Sequence, residues 1–426
     1  MPDGSATTHL YRPKLATVLA EGYGLGRFRR DAMAGLTVAI VALPLSMAIA
    51  VASGVSPDRG LYTAIVGGFA VSALGGSRFQ IGGPAGAFIV LVAATAAKFG
   101  VEGLLLAVLM SGVMLALMGA SRLGGLIRHI PHAVTVGFTA GIAVTIAASQ
   151  LKDLAGLRLA GPEPGPTLPK LAALAQAAPS LNLAALSVGA AVAAVTFAVS
   201  RLRPRWPGML IAVAGAAIAA GVLRLPVETI ASRFGGVPHS LPAPGLPPIT
   251  PERLSALLPS ALSFTLLGAI ESLLSAKVAD GMTGRRHRSN MELVAQGLAN
   301  VASALFGGIC VTGTIARTAT NIRAGATSPV AGLMHSAFLL AFMLLAAQFA
   351  GYVPLAALAG VLVVVAWNMA EKGEFVRLLR EVPGAVVLLA TFVLTVARDL
   401  TTGIIAGCLA AALFALLRRP TPEEGD

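Results

Sequence analysis

Residues 81–88 read IGGPAGAF, and residues 311–321 read VTGTIARTATN. Each stretch lies in an apolar run yet carries helix-breaking glycines and small polar side chains. The runs around them, near 84–98 and 313–325, are too short to cross a bilayer core alone, which takes about 20 residues. Gly82 and Gly83 permit an extended, closely approached backbone, Pro84 suits the first position of a helix, and Gly313-Thr314 can open a partner helix in the same way. A helix that begins inside a membrane aims unpaired N–H groups and about half a positive charge at its start. Two such starts facing each other would cradle an anion with backbone alone, whereas ordinary glycine-rich helix packing gives a similar composition. Paired interrupted segments at matching places in two halves point to a transporter's central site.

Outward from these stretches the chain is apolar: 56% hydrophobic and 12% charged over 426 residues, with mean hydropathy +0.81. Soluble proteins average roughly 45–50% and 25%. These values exclude a soluble enzyme, a disordered chain and a disulfide scaffold, and leave an all-α polytopic membrane protein. Fourteen apolar runs fall near 32–53, 60–77, 84–98, 102–120, 133–150, 184–200, 207–223, 258–278, 291–308, 313–325, 329–349, 354–370, 384–397 and 400–417. The first is too long for a signal-peptide core of about 7–15 residues, so residues 1–31 read as a cytoplasmic lead-in to an uncleaved span. With both termini inside, 21 Lys and Arg fall on inner segments and 9 on outer ones, with Arg317 inside a span. The net charge of +12 is therefore read as positive-inside bias and not as nucleic-acid affinity. Arg201/Arg203/Arg205 and Arg285/Arg286/Arg288 carry much of that bias. The Pro-rich outer stretches 151–180 and 224–257 read as surface loops or short helices. Cys310 and Cys408 sit in apolar runs and read as helix-packing residues, without a metal site or cofactor.

Two charges stand out. Glu271, in LSFTLLGAIESLLSAKVAD, lies within a span, where a charge costs roughly 2.5–3.5 kcal/mol on insertion scales. It is either a proton or cation coupling site or a structural partner in an ion pair or helix–helix hydrogen bond. Ser275, four residues on, shares its helical face. Arg317 cannot neutralise itself by losing a proton. It either makes a positive pocket for an anionic substrate or pairs permanently with Glu271 or a carbonyl. His335 reads as a satisfied packing histidine. No Walker A, HExxH or GxSxG pattern supports ATP-driven pumping or hydrolysis, so no enzyme is expected.

The residues resemble the sulfate permease (SulP) family of anion transporters, solute carrier family 26. The family signature stands here as Pro57-Asp58-Arg59-Gly60-Leu61-Tyr62-Thr63-Ala64, then Gly75-Gly76-Ser77-Arg78, and the stretch 271–332 is equally typical. The resemblance implies 14 transmembrane segments in a 7+7 inverted repeat, with a core (about 32–120 and 258–349) and a gate (about 121–224 and 350–418). It also implies two half-helices meeting at the midplane, an elevator-like movement and a homodimer in a bacterial-type inner membrane. It places the substrate at the two helix starts: Leu45, Gly83, Pro84, Ala85, Gly86, Gly313, Thr314, Ile315, Ala316 and Arg317. Glu271, with Ser275, stands at an acidic coupling position. Three positions depart from the family: Arg59 replaces the signature Tyr, Leu45 stands where many relatives have Gln, and Ile315 stands where sodium-coupled bicarbonate relatives carry Thr. Proton-coupled symport of a dicarboxylate or inorganic oxyanion is the first expectation. Sodium–bicarbonate symport, anion exchange and an uncoupled anion channel are the alternatives. The family usually adds a cytoplasmic STAS domain; the expectation here is a short tail, 419–426, without one.

Overall fold

Each of the fourteen apolar runs contains helix. The computed structural model describes residues 11–125, 131–161, 163–164, 167–203, 206–398 and 400–417, so the first ten residues, Arg205 and the tail 419–426 lie outside the described residues. Helix α1 (Lys14–Ala20) belongs to the lead-in and α2 (Leu25–Ala52) to the first span. The second span is built in pieces, α3 (Pro57–Tyr62), a π-helical turn at Thr63–Gly67 and α4 (Gly68–Leu74). After strand β1 (Gly82–Gly83) and a 3₁₀ turn at Gly86–Phe88 comes α5 (Ile89–Ala120), which joins the third and fourth runs across a break at Gly100. There φ is +71°, a conformation glycine adopts without a Cβ penalty. Then come α6 (His132–Ala155), α7 (Thr167–Gln176), α8 (Leu183–Leu202), α9 (Gly208–Val222), α10 (Ile230–Phe234), α11 (Pro251–Thr283) and α12 (Ser289–Leu305). Strand β2 (Thr312–Gly313) precedes α13 (Ile315–Arg323), α14 (Val330–Ala350), α15 (Leu355–Met369), α16 (Lys372–Leu378), α17 (Val382–Ala397) and α18 (Leu400–Leu417). Among the described residues seven helices are long and apolar enough to cross a membrane.

The all-α expectation needs one addition. β1 and β2 pair antiparallel, Gly82 opposite Gly313 and Gly83 opposite Thr312, so the two interrupted runs cross as a two-stranded ribbon. The ribbon also corrects the placement of Pro84. It does not open a helix, because pairing keeps the chain extended through Ala85 (φ −118°, ψ 145°), and helical turns start only at Gly86. The second half behaves as expected, with Thr314 as N-cap and α13 starting at Ile315.

The helices contact in two sets. In one, α2 packs on α13 and α14, α5 on α11 and α12, and α4 on α12 and α14; the ribbon lies within this set. In the other, α6 packs on α15 and α17, α8 on α9 and α15, and α17 on α18.

The lead-in runs beneath the first set. Tyr11 Oη donates to the Ala120 carbonyl at 2.8 Å, Lys14 N to the Gly75 carbonyl at 2.9 Å, and Arg288 Nη1 to the Arg12 carbonyl at 2.5 Å. Arg78 grips Glu21 with two N–H groups. Buried Asp31 accepts from Tyr23 Oη (2.8 Å), Thr327 N and Oγ1, and Ser328 N and Oγ. The Arg78 hydrogen bond holds the Glu21 carboxyl below its usual range. Its contribution is complete above the ordinary carboxylate value and fades only as pH falls through the lowered one. We expect Glu21→Gln to raise amide exchange across α1 only a few-fold, because a half-exposed pair is screened. Asp31→Ala should lower thermal stability in detergent much more, since each hydrogen bond to a buried charge is worth roughly 1.5–3 kcal/mol.

Candidate functional site

An extended chain inside a membrane protein needs a protein partner for its backbone groups. Around the ribbon most of those partners are side chains. On the β1 side, Ile81 N donates to Thr318 Oγ1 (3.1 Å), the Ile81 carbonyl accepts from Thr314 N (3.0 Å), and the Phe79 carbonyl accepts from Asn321 Nδ2 (2.9 Å). Thr314, Thr318 and Asn321 lie on one face of α13, at spacings of four and three. On the β2 side, Asn300 takes both backbone groups of Val311, accepting from N at 3.0 Å and donating to the carbonyl at 2.8 Å. Ile309 N donates to Thr63 Oγ1 (2.7 Å), and the Ile309 carbonyl accepts from Ser303 Oγ (2.7 Å).

Asn300 and Ser303 belong to a stripe on α12 with Glu292 and Gln296, all fully buried. Glu292 accepts from Ser77 N at 2.9 Å, which anchors the Gly75-Gly76-Ser77-Arg78 segment to the start of α12. The sequence carried this signal, since polar residues at i, i+4, i+8 and i+11 mark one face inside an apolar run. Arg59 Nη1 donates to the Gly307 carbonyl at 2.7 Å, so the residue that departs from the signature links two distant segments.

Arg317, in the first turn of α13, is 1% exposed. Its Nη2 donates to Ser46 Oγ (3.1 Å) and to the Pro84 carbonyl (3.3 Å), while Nε and Nη1 have no partner among the described residues. The guanidinium thus reaches the first interrupted segment and Ser46, the chain neighbour of buried Leu45. A Cβ on Gly83 would stand 1.9 Å from Arg317 Nη1, and one on Gly313 would stand 1.6 Å from Gln80 Nε2. Each glycine is bare because a side chain from the other half occupies the space. Pro84, Ala85, Gly86, Gly313 and Thr314 are buried, Ile315 is half-buried and Ala316 is exposed. Beside Gly86, a Cβ would meet only Ile146 Cδ1 (3.0 Å) and Met369 Sδ (3.7 Å).

Glu271 is 6% exposed in α11. Among the described residues its carboxylate has no hydrogen-bond or ion-pair partner, and no ion pair joins it to Arg317. Of the two readings of Arg317, the permanent pair with Glu271 is thus not found; the Pro84 carbonyl is. The neighbouring Ser272 Oγ lies 2.7 Å from Thr312 Oγ1, and Ser275 Oγ lies 3.2 Å from Thr318 Oγ1. His335 is fully buried, but among the described residues neither ring nitrogen has a partner, so it packs without being satisfied there.

The profile of the Sulfate permease family matches residues 28–391. The chain belongs to this family. It is 43% identical over 401 residues to a Bacillus subtilis protein named "Putative sulfate transporter YvdB", covering 93% of this chain and 75% of that one. To the bicarbonate transporter BicA of Picosynechococcus it is 31% identical over 402 residues, 92% of this chain and 70% of that one. Among solved structures, the transmembrane domain of a cyanobacterium bicarbonate transporter BicA superposes with TM-score 0.82 at 30% identity, covering 90% of this chain and 98% of that one. Murine Slc26a9 in the inward-facing state gives TM-score 0.88 at 18% identity, over 99% of this chain and 73% of that one, a likeness of fold. The fold is the 7+7 inverted repeat of these transmembrane domains. The protein is a multi-pass membrane anion transporter of the sulfate permease family and not an enzyme.

Gly83→Ala is expected to push the Arg317 guanidinium off Ser46 and Pro84, and to cut anion uptake about tenfold or more, the cost of one hydrogen bond to a charged group. Uptake by reconstituted protein checks this, with thermal unfolding to confirm the fold; wild-type uptake would show that Gly83 does not position Arg317.

Proposed function

We propose that this transporter is a proton-coupled symporter of a small anion, a dicarboxylate or an inorganic oxyanion. The observation that carries the reading is a pair of uncompensated buried charges. Among the described residues Arg317 keeps two nitrogens, Nε and Nη1, without a partner, and Glu271 has none. Burying either ion costs several kcal/mol unless something compensates it. A transported anion would meet Arg317, and a proton would neutralise Glu271.

In this reading the anion sits where the two interrupted segments present their helix starts. Gly83, Pro84, Ala85 and Gly86 line one side, Gly313, Thr314, Ile315, Ala316 and Arg317 the other, with Leu45 beside Ser46. Glu271 and Ser275 take the coupling ion. Ile315 offers no hydroxyl oxygen to a cation, which favours a proton over sodium. The helix sets formed by 32–120 with 258–349 and by 121–224 with 350–418 act as core and gate in an elevator-like movement. The protein works as a homodimer in a bacterial inner membrane with both termini cytoplasmic, as the basic inner segments suggest. A second reading, sodium–bicarbonate symport, has the support of relatives at 31–32% identity that are named bicarbonate transporters.

Uptake of labelled fumarate, sulfate and bicarbonate into proteoliposomes, with and without an inward proton gradient, tests the reading. One anion is expected to accumulate only with the gradient, up to roughly tenfold per pH unit and coupled proton, and Glu271→Gln should abolish accumulation. Uptake that follows sodium, or a counter-anion, would replace the proton reading with sodium symport or exchange. A continuous single-channel current would replace it with a channel.

A further inference from the structure

Two serines beside Glu271 reach different strands of the ribbon. Ser272 contacts β2 directly: its Oγ lies 2.7 Å from Thr312 Oγ1 and accepts from Gly313 N at 3.4 Å. Ser275 reaches β1 only through Thr318, whose Oγ1 lies 3.2 Å from Ser275 Oγ and accepts the Ile81 N–H at 3.1 Å. Ser272, Ser275, Thr312, Thr318 and Ile81 are all fully buried, so water does not replace a partner that is lost. Thr318 therefore ties α11, one turn from Glu271, to the segment that leads into Gly82, Gly83 and Pro84.

We propose that Thr318 is a positioning residue for coupling, carrying the occupancy of Glu271 to the anion-binding segment 81–84. The inference rests on the assignment of Glu271 as the coupling site. A hydroxyl has one hydrogen and two acceptor lone pairs. Ile81 N–H occupies one lone pair of Thr318, and the Ser275–Thr318 contact can run in either direction. When Glu271 is charged, Ser275, one turn along the same helical face, would turn its hydrogen toward the carboxylate, a contact absent among the described residues, and accept from Thr318. When Glu271 is neutralised, Ser275 is released to donate to Thr318, whose oxygen then accepts from both Ser275 and Ile81 N–H and holds the latter less firmly than when Thr318 is itself donating to Ser275. The charge on α11 thereby biases how firmly the β1 segment is held, which is a coupling free energy between two sites.

Other charges near α11 do not take this place. Arg317 on α13 is bound to Ser46 and Pro84, and Glu292 on α12 to Ser77 and Gln296. Lys98 and Glu102 on α5 and Arg323 on α13 are exposed. Glu252, Arg253, Lys277 and Asp280 stand on α11 itself, toward its two ends.

The test compares wild type, Thr318→Val and Thr318→Ser, using whichever of labelled fumarate, sulfate and bicarbonate the wild type accumulates. Apparent anion affinity is measured near pH 5.5 and pH 8 on protein that is monodisperse in detergent. Wild type should change affinity by about fivefold or more between the two, the lower end of ordinary coupling. Thr318→Val should compress that ratio below about twofold, and Thr318→Ser should restore it. A valine variant that is slow yet keeps the wild-type ratio would make Thr318 merely structural and overturn the inference. A flat wild type would instead remove the Glu271 assignment, and this inference with it. If the valine variant does not fold, Thr318→Cys and Thr318→Ala are read by the same ratio.

Discussion

An extended backbone at the centre of a membrane protein has no water to fall back on, and the rest of this structure answers to that constraint. An unmet N–H or C=O there costs several kcal/mol, whereas a made hydrogen bond returns only about 0.5–1.5 kcal/mol net. Two antiparallel residue pairs cannot serve the whole stretch from Phe79 to Ala85 and from Ile309 to Thr314. Many of the remaining groups are met by Thr63, Asn300, Ser303, Thr314, Thr318 and Asn321, which come from the second span and from α12 and the start of α13. Those helices are therefore fixed in register to the ribbon. Their polar side chains are positioned by the backbone they satisfy, and the residues at the two helix starts inherit that order.

The sequence made the spans legible because hydropathy is a local property, and each of the fourteen runs holds a helix. It also made Glu271 and Arg317 legible, since each stands inside an apolar run and not at its end. It did not reveal the ribbon's partners. Gly82 and Gly313 lie 231 residues apart along the chain, and no local period reports a pairing of that kind. Pro84 was misplaced for a related reason. Its preference for a first helical position holds only if the residues before it are free to turn, and here the strand partner keeps them extended. The α12 stripe is a different case. Glu292, Gln296, Asn300 and Ser303 follow helical spacing plainly, and only the weight given to apolarity hid them.

The two halves are not equivalent where they cross. Arg317 from the second half lies against Gly83 of the first, while Gln80 from the first half lies against Gly313 of the second. One intruding side chain is a permanent cation and the other a neutral amide. The exchange makes a near-symmetric scaffold electrostatically one-sided. The positive side chain is tied to Ser46 and the Pro84 carbonyl, so it adds to whatever field the helix starts supply without being consumed by a carboxylate.

These contacts also say where relative movement is cheap. Shifting β1 against β2, or either against α12 and α13, would break hydrogen bonds that buried side chains cannot remake one residue along. The Arg78–Glu21 and Asp31 contacts beneath the same helices add to that rigidity. Across from Gly86, by contrast, the second helix set presents Ile146 and Met369. An apolar side chain carries no directional bond, and a flexible thioether adapts to a changed neighbour at little cost. A boundary of that composition can slide where a hydrogen-bonded ribbon cannot. If the anion is to travel, the physically economical course is for the ribbon to move with it as one piece past Ile146 and Met369.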